Sequence, residues 1–352
     1  MTASIAVSLN QFESWMRDKL GDEIVESDLD EKHRKMRKGP FPFLRATYWR
    51  WAEGILEVCP ELADAPTVLA IGDTHLENFG TWRDAEGRLV WGANDFDEAA
   101  NMPYALDLVR LGASALLARP AEVGASELCD ALVEGYIDGL DEPKPVVLEK
   151  DYAWLRSALV LSESERADFW GKFDRDDEPI PVRFAHALGQ ALPKDVGHLR
   201  RFARSSGTGS LGKPRFVANA SWQGGPVLRE AKAVLQSSWC RAHDPAADAI
   251  LAGVIADGPF RARDPHYAVL DGVVVRRLSP NSRKIEAKDA SETLLSSRMV
   301  KLMGKEVANC HGTDPGRLNA VREDLGRRGR GWLKAAAEKA ASWVEQEQRA
   351  YV

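Results

Sequence analysis

Two short stretches hold side chains suited to phosphoryl chemistry: Ile71-Gly72-Asp73-Thr74-His75-Leu76-Glu77-Asn78 and Asn94-Asp95-Phe96-Asp97-Glu98. Transfer of a phosphoryl group from ATP needs a carboxylate that orients the acceptor hydroxyl and takes its proton. It also needs an amide and a second carboxylate that hold Mg²⁺ on the phosphates. Asp73, Asn78 and Asp95 supply that set, and Asp97 either binds a second Mg²⁺ or shapes the loop. A third stretch, Gly207-Thr208-Gly209-Ser210-Leu211-Gly212, has the spacing G-x-G-x-x-G. That spacing serves a dinucleotide-binding fold when a helix follows, or a hairpin over nucleotide phosphates when a strand follows. Here Lys213-Pro214-Arg215-Phe216-Val217-Ala218 follows, a proline and then alternation, which predicts a strand. Gly207, Thr208, Gly209, Ser210 and Gly212 are therefore the expected phosphate cradle. One strand further on, Lys232 is the cation expected at the α and β phosphates. Arg229 competes, because alternation puts the two on opposite faces.

The elements that must position these residues read in the order helical, β-rich, helical. Residues 9–58 have a helical pattern that Gly39-Pro40-Phe41-Pro42 interrupts, with a helix restarting near Phe43. Thr67 to Ile71 and Arg88 to Gly92 predict two short strands flanking a polar loop. Pro103 marks a helix start, with helical spacing over Tyr104 to Ala118, then Ala125 to Leu140 and Glu165 to Leu192. Strands are predicted at Leu199–Phe202, Arg215–Ala220, Val227–Val234, Tyr267–Leu270 and Val273–Leu278, and helices at Ser291–Cys310 and Pro315–Tyr351, the last interrupted at Gly329 and Gly331.

A chain of 352 residues implies one large or two linked domains. No run approaches the ~20 apolar residues of a membrane helix, and the first residues lack a secretory pattern. Cytoplasmic localisation without membrane attachment is expected. Cys59, Cys129, Cys240 and Cys310 are too scattered for a zinc site or a disulfide framework. A net charge of −6 gives no footprint for nucleic acid. The run His33, Arg34, Lys35, Arg37 and Lys38 reads as a solvated helix face, and Arg276 and Arg277 as surface residues. His75 reads as a structural hydrogen-bonding residue, Asp107 as a brace for backbone near Asp73. Cys310-His311-Gly312-Thr313-Asp314 ends a helix without a following D-F-D and is set aside.

The D-x-x-x-x-N spacing, a short strand and then D-F-D resemble the catalytic and metal loops of the protein-kinase-like superfamily. Together with Tyr104-Ala105-Leu106-Asp107-Leu108, they look like the aminoglycoside phosphotransferase pattern G-D-x-H-x-x-N, I-D-F-D, D-L. The chain departs from it at Ile71, where a histidine that braces the metal loop is usual, and at Leu76, where proline is usual. The chain is still more similar to an uncharacterised bacterial family, domain of unknown function 2252, in residues 40–45, 72–80 and 94–98, and this resemblance is taken to cover most of its length. Arg45 lies in one of these segments and is a candidate near the phosphates. The resemblance implies an α+β, protein-kinase-like two-lobed fold. The glycine-rich hairpin follows the catalytic loop instead of preceding it, so the order is circularly permuted, which surface-lying termini tolerate. Residues 1–195 would form the helical catalytic lobe, 196–280 the β-rich nucleotide lobe with a hinge at Ser279-Pro280-Asn281, and 281–352 the returning helices.

The implied activity is Mg²⁺-ATP-dependent transfer of a phosphoryl group to a hydroxyl of a small-molecule acceptor, or nucleotidyl transfer in the same cleft. The glutamate that usually holds the phosphate lysine is missing between Ala231 and Ser279, with Asp244 and Asp248 as substitutes. That absence leaves a nucleotide-binding scaffold open. Gly72-Asp73-Thr74-His75 also resembles the first ligand motif of metal-dependent phosphoesterases, but none of His186, His198, His243, His266 and His311 has the context such an enzyme needs.

Overall fold

Caps and prolines decide where the first helices begin. In the computed structural model, which describes residues 3–205, 207–286 and 292–352, the Ser4 side chain accepts from the Val7 N–H and opens α1 (Ile5–Leu20). Then come α2 (Glu26–Met36), α3 (Pro40–Ala46) and α4 (Tyr48–Val58). The helix expected to restart near Phe43 begins at Pro40 itself. Both prolines fall in the first turn, whose N–H groups have no intrahelical partner to lose.

β1 (Thr67–Ala70) pairs antiparallel with β4 (Ala100–Pro103), while β2 (Phe79–Arg83) pairs with β3 (Leu89–Ala93), and β5 (Val146–Val147) extends that second sheet. The two strands read from the sequence are present but belong to different sheets. Each pairs with a short strand that the sequence reading missed. Pro103 closes β4, and α5 (Ala105–Ala118) starts two residues later. Next come α6 (Ala125–Asp141), α7 (Ala153–Leu159), α8 (Glu163–Gly171) and α9 (Val182–Ala191). The single helix expected over Glu165 to Leu192 is thus two. Ser162 and Glu165 form a capping box that starts α8, and Pro179 and Pro181 keep the chain non-helical before α9.

The β-rich unit is one antiparallel sheet of β6 (Gly197–Ala203), β7 (Arg215–Trp222), β8 (Gly225–Ala233), β9 (Ala268–Leu270) and β10 (Val273–Leu278), in the order β6-β7-β8-β10-β9. All five predicted strands are there. Between β8 and β9 lie α10 (Ser238–His243) and α11 (Ala252–Ala256), and α9 packs on β8 and β10. The chain closes with α12 (Ser297–His311), α13 (Leu318–Arg327) and α14 (Trp332–Tyr351), and Gly331, with φ of 74°, marks the predicted interruption. The expected start of α12 at Ser291 lies outside the described residues.

The architecture is mixed α+β with one extended apolar core. A smaller cluster of Phe173, Phe202, Val217 and Leu228 seats the segment after α8 on the five-stranded sheet. All four cysteines are buried and free. No helix among the described residues is long and apolar enough to cross a membrane.

Candidate active site

One face of α5 holds the first carboxylate loop. Residues 107, 110 and 114 recur at helical spacing on a helix that is otherwise apolar. Asp107 accepts from the Ile71 N–H at 2.7 Å and the Gly72 N–H at 2.9 Å, so it is the brace expected of it. Arg110 donates through Nε and Nη2 to Asp73 Oδ1, at 3.0 and 2.6 Å. Ser114 Oγ accepts from the Leu76 N–H at 3.1 Å. Gly72 has φ of +85°, and a Cβ there would strike the Glu98 carbonyl and the Tyr48 hydroxyl, so only glycine lets the loop turn so close to the second carboxylate loop.

His311, set aside in the sequence, belongs to this support. Its Nε2 lies 3.0 Å from Asp107 Oδ2 and its Nδ1 2.7 Å from the Tyr136 hydroxyl, all fully buried. A carboxylate that accepts two amides can only accept from the ring, so Nε2 carries the proton. His75 is also structural: its Nδ1 accepts from the Glu77 N–H at 3.1 Å. Burial, then the Arg45 charge, holds its imidazole well below the ordinary value, so it is neutral.

The second loop is tied to the first by Asn78. Its Nδ2 donates to the Asp73 carbonyl at 3.2 Å and the Asp95 carbonyl at 3.1 Å. Its Oδ1 and the Oδ1 of Asn94 are buried without a hydrogen-bond donor. At the entry to this loop, Glu306 on α12 accepts from the Ala93 N–H at 3.2 Å, and Arg261, ion-paired to Glu306, donates to the Ala93 carbonyl at 2.7 Å.

Alternation on β7, β8 and β10 builds a charged sheet face above these loops. Glu230 and Lys232 point the same way from β8; Arg215 lies directly across from Lys232, and Arg276 across from Glu230. Glu230 is wholly buried and accepts from Arg204 at 2.5 Å, Arg215 at 2.9 Å and Arg276 at 2.7 Å. Burial alone would raise its carboxyl, but the three guanidinium groups hold it far below the ordinary range. Arg276 is thus a member of this cluster and not the surface residue its sequence suggested.

Lys232 reaches down to the second loop, 3.2 Å from Asp95 Oδ1 and 2.7 Å from Asp97 Oδ1. The latter contact is an ion pair without hydrogen-bond direction, so Asp97 Oδ1 also lacks a directed donor. Arg229 faces away and donates to the Ala191 and Leu228 carbonyls, which removes it as the phosphate cation. Asp244 and Asp248 are exposed and do not pair with Lys232.

These parts enclose a cavity of about 500 Å³. Asp73, Asn78, Asp95 and Asp97 line it from one side and Gly207, Thr208, Gly209 and Ser210 from another. The loop joins β6 to β7 as a hairpin, and Arg215 Nη2 donates to Ser210 Oγ at 2.7 Å. Of the two carboxylates, Gly209 comes up against Asp73: a Cβ on it would sit 3.3 Å from Asp73 Oδ2 and 3.2 Å from the Arg45 carbonyl. Gly212 stands apart, turned with φ of +95° against Leu29 and Met16, and Lys232 lies behind the cavity wall.

The two carboxylates are driven apart electrostatically. Burial raises Asp73 above the ordinary carboxylate value in spite of Arg110. Burial acts on Asp95 in the same sense, but Lys232, Lys284, Arg276 and Arg215 outweigh it and hold that group well below its ordinary value. One group is disposed to take a proton and the other to stay ionised.

Arg110, Arg215, Glu230, Lys213 and Lys284 were missed in the sequence. A signal for the first existed, an arginine amid the apolar face of a helix that follows the second loop. Lys213 closes the glycine stretch, 3.9 Å from Asp97 Oδ2 and 4.0 Å from Glu98 Oε1.

The donor set at Asp95, Asp97 and Asn78 is all oxygen, and two buried amide oxygens nearby lack donors, which suits a hard cation such as Mg²⁺. Among the described residues, no three His, Cys, Asp or Glu side chains converge as a metal cage. Mg²⁺ takes few protein ligands and completes its shell with water and phosphate, so this set fits it.

No curated protein and no solved structure matches the chain. A family model described as an uncharacterized protein conserved in bacteria (DUF2252) matches residues 24–167, a narrower span than the sequence resemblance suggested. That span holds Asp73, Asn78, Asp95 and Asp97 but neither the glycine-rich hairpin nor Lys232, so the chain's similarity to this bacterial family lies in the carboxylate-bearing half of the site.

Proposed function

We propose that the cavity transfers the γ-phosphoryl group of ATP to a hydroxyl of a small acceptor. The observation that carries this reading is the approach of Gly209 to Asp73 Oδ2, because it brings a glycine-rich hairpin and a carboxylate base, distant in sequence, to one crevice. Asp73 Oδ1 is engaged by Arg110, which leaves Oδ2 free to take the proton. The acceptor O–H bond breaks toward Oδ2 and the acceptor oxygen bonds to the γ phosphorus. The bond from that phosphorus to the β–γ bridging oxygen breaks, with its electron pair leaving on ADP.

Backbone N–H groups of the hairpin cradle the phosphates, and the Arg215, Arg276 and Lys232 charges offset those that gather on the leaving side. Mg²⁺ held by Asp95 and Asn78 would neutralise charge on the β and γ phosphates. In this reading the fold is protein-kinase-like in two lobes and circularly permuted, since the hairpin sheet follows the carboxylate loops in the chain. Thr81, on β2, supports the return: its N–H donates at 2.8 Å to the Arg283 carbonyl, just past the hinge.

Calorimetry of ATP with and without Mg²⁺, on the wild type and Asp95→Ala, tests the proposal. Micromolar, Mg²⁺-dependent binding that the substitution weakens at least tenfold is expected. Absent or Mg²⁺-independent binding refutes it, and binding without turnover over a broad acceptor panel points to a scaffold.

A further inference from the structure

Lys32, on α2, reaches the wall of the same cavity with 2% of its surface exposed. Among the described residues, its ammonium meets no hydrogen-bond acceptor and no carboxylate at ion-pair distance. It lies instead over two ring faces, 5.0 Å from the centre of Phe12 and 4.9 Å from that of Trp49, and those rings stack 4.6 Å apart. Both rings also line the cavity. A buried ammonium with no carboxylate in direct contact is costly to keep, so it is set to pair with an anion that a ligand brings.

The nucleotide does not account for this charge. The groups acting on Lys32 are Lys213, Glu13, Glu98 and Asp73, so it sits on the side of the base and not at Asp95. The sign of the whole wall agrees: ten Lys and Arg against six Asp and Glu line the cavity, whereas the chain as a whole has 47 against 53. A polycationic acceptor would meet Lys32 as a repulsion.

We infer that the acceptor is a small hydroxyl compound bearing an anionic group, carboxylate or phosphate, which Lys32 binds while the hydroxyl lies at Asp73 Oδ2. This inference rests on the phosphotransfer reading for its second half; the anion seat itself does not. Burial, then Lys213, lowers the ammonium to about 8, so it remains protonated at neutral pH and available to the anion.

The test is calorimetric, on the full chain saturated with Mg²⁺-ADP so that the phosphate cradle is filled. The probes are D-glycerate, glycerol 3-phosphate, glycerol and kanamycin. At least one anionic probe is expected to bind at millimolar concentration, tenfold or more tighter than glycerol, and the preferred anion identifies the group. Lys32→Met should abolish that preference and Lys32→Arg should keep part of it.

Four results overturn the inference: neither anion binds the wild type, glycerol binds as well as the anions, kanamycin binds best, or Lys32→Met keeps the preference. Should Mg²⁺-ADP itself fail to bind, the phosphotransfer reading falls alone. The same titrations of wild type and Lys32→Met without nucleotide then decide the anion seat.

Discussion

Replacing Lys32 by methionine should make the protein more stable at neutral pH, an unusual sign for a core substitution. The ammonium is lowered from its ordinary 10.5 to about 8, chiefly by burial. At about 1.4 kcal/mol per tenfold change in proton affinity, the folded chain carries a cost of about 3 kcal/mol. The direction of the pH dependence follows from the lowered value. Below about pH 8 both folded and unfolded chains hold the proton and the full cost is present. Between about 8 and 10.5 the unfolded chain binds the proton and the folded chain does not, so stability rises with pH and the cost disappears.

Methionine matches the length and apolar stem of lysine but forfeits the two ring contacts, worth about 1 kcal/mol together. The net expectation is a gain of about 2 kcal/mol at pH 7 that vanishes by about pH 10.5. Urea unfolding of both proteins at the two pH values measures it. Other groups, such as the lowered Lys305 and the raised Tyr104, titrate alike in both and cancel in the difference. A variant less stable than wild type at pH 7, or an increment equal at both pH values, would refute the reasoning.

Two further outcomes follow from the geometry. Glu230→Gln leaves Arg204, Arg215 and Arg276 without their shared carboxylate and should destabilise the chain by about 3–5 kcal/mol in urea unfolding at pH 7. Because the folded value of Glu230 lies below its ordinary 4.5, the wild-type advantage should be complete above that pH and fade as the pH falls. Gly209→Val drives a branched side chain against Asp73 and Arg45; phosphoryl transfer should drop at least tenfold while the melting temperature, set by cores elsewhere, moves little.

The parts legible in the sequence are those with local signals. Strands β6 to β10 alternate between glycine turns, and the spacing of Asp73, Asn78 and Asp95 is short enough to read within one supersecondary unit. The missed parts depend on partners brought from far away. Strands β2 and β4 are short and stand only because β3 and β1 pair with them. Arg276 follows three valines on β10, where alternation cannot say which face is inward until the register with Glu230 is known. Lys32 adjoined a basic run that is indeed largely solvated, yet with Leu29 and Met36 it forms the buried stripe of α2 at spacings of three and four. A lysine inside an apolar stripe was the overlooked clue. The break before α9 was announced by Pro179 and Pro181, but the apolar spacing on either side masked it.

The dependence of Asp107 on His311 and of Ala93 on Glu306 sets an order on biosynthesis. The segment with Asp73 and Asp95 leaves the ribosome long before the hairpin that covers it, and α12, which pins both loops from behind, comes later still. A nascent chain halted at Glu286 would already own every described residue that lines the crevice and yet lack the struts that hold two of its walls in register. Competence to grip a ligand therefore waits on the emergence of α12.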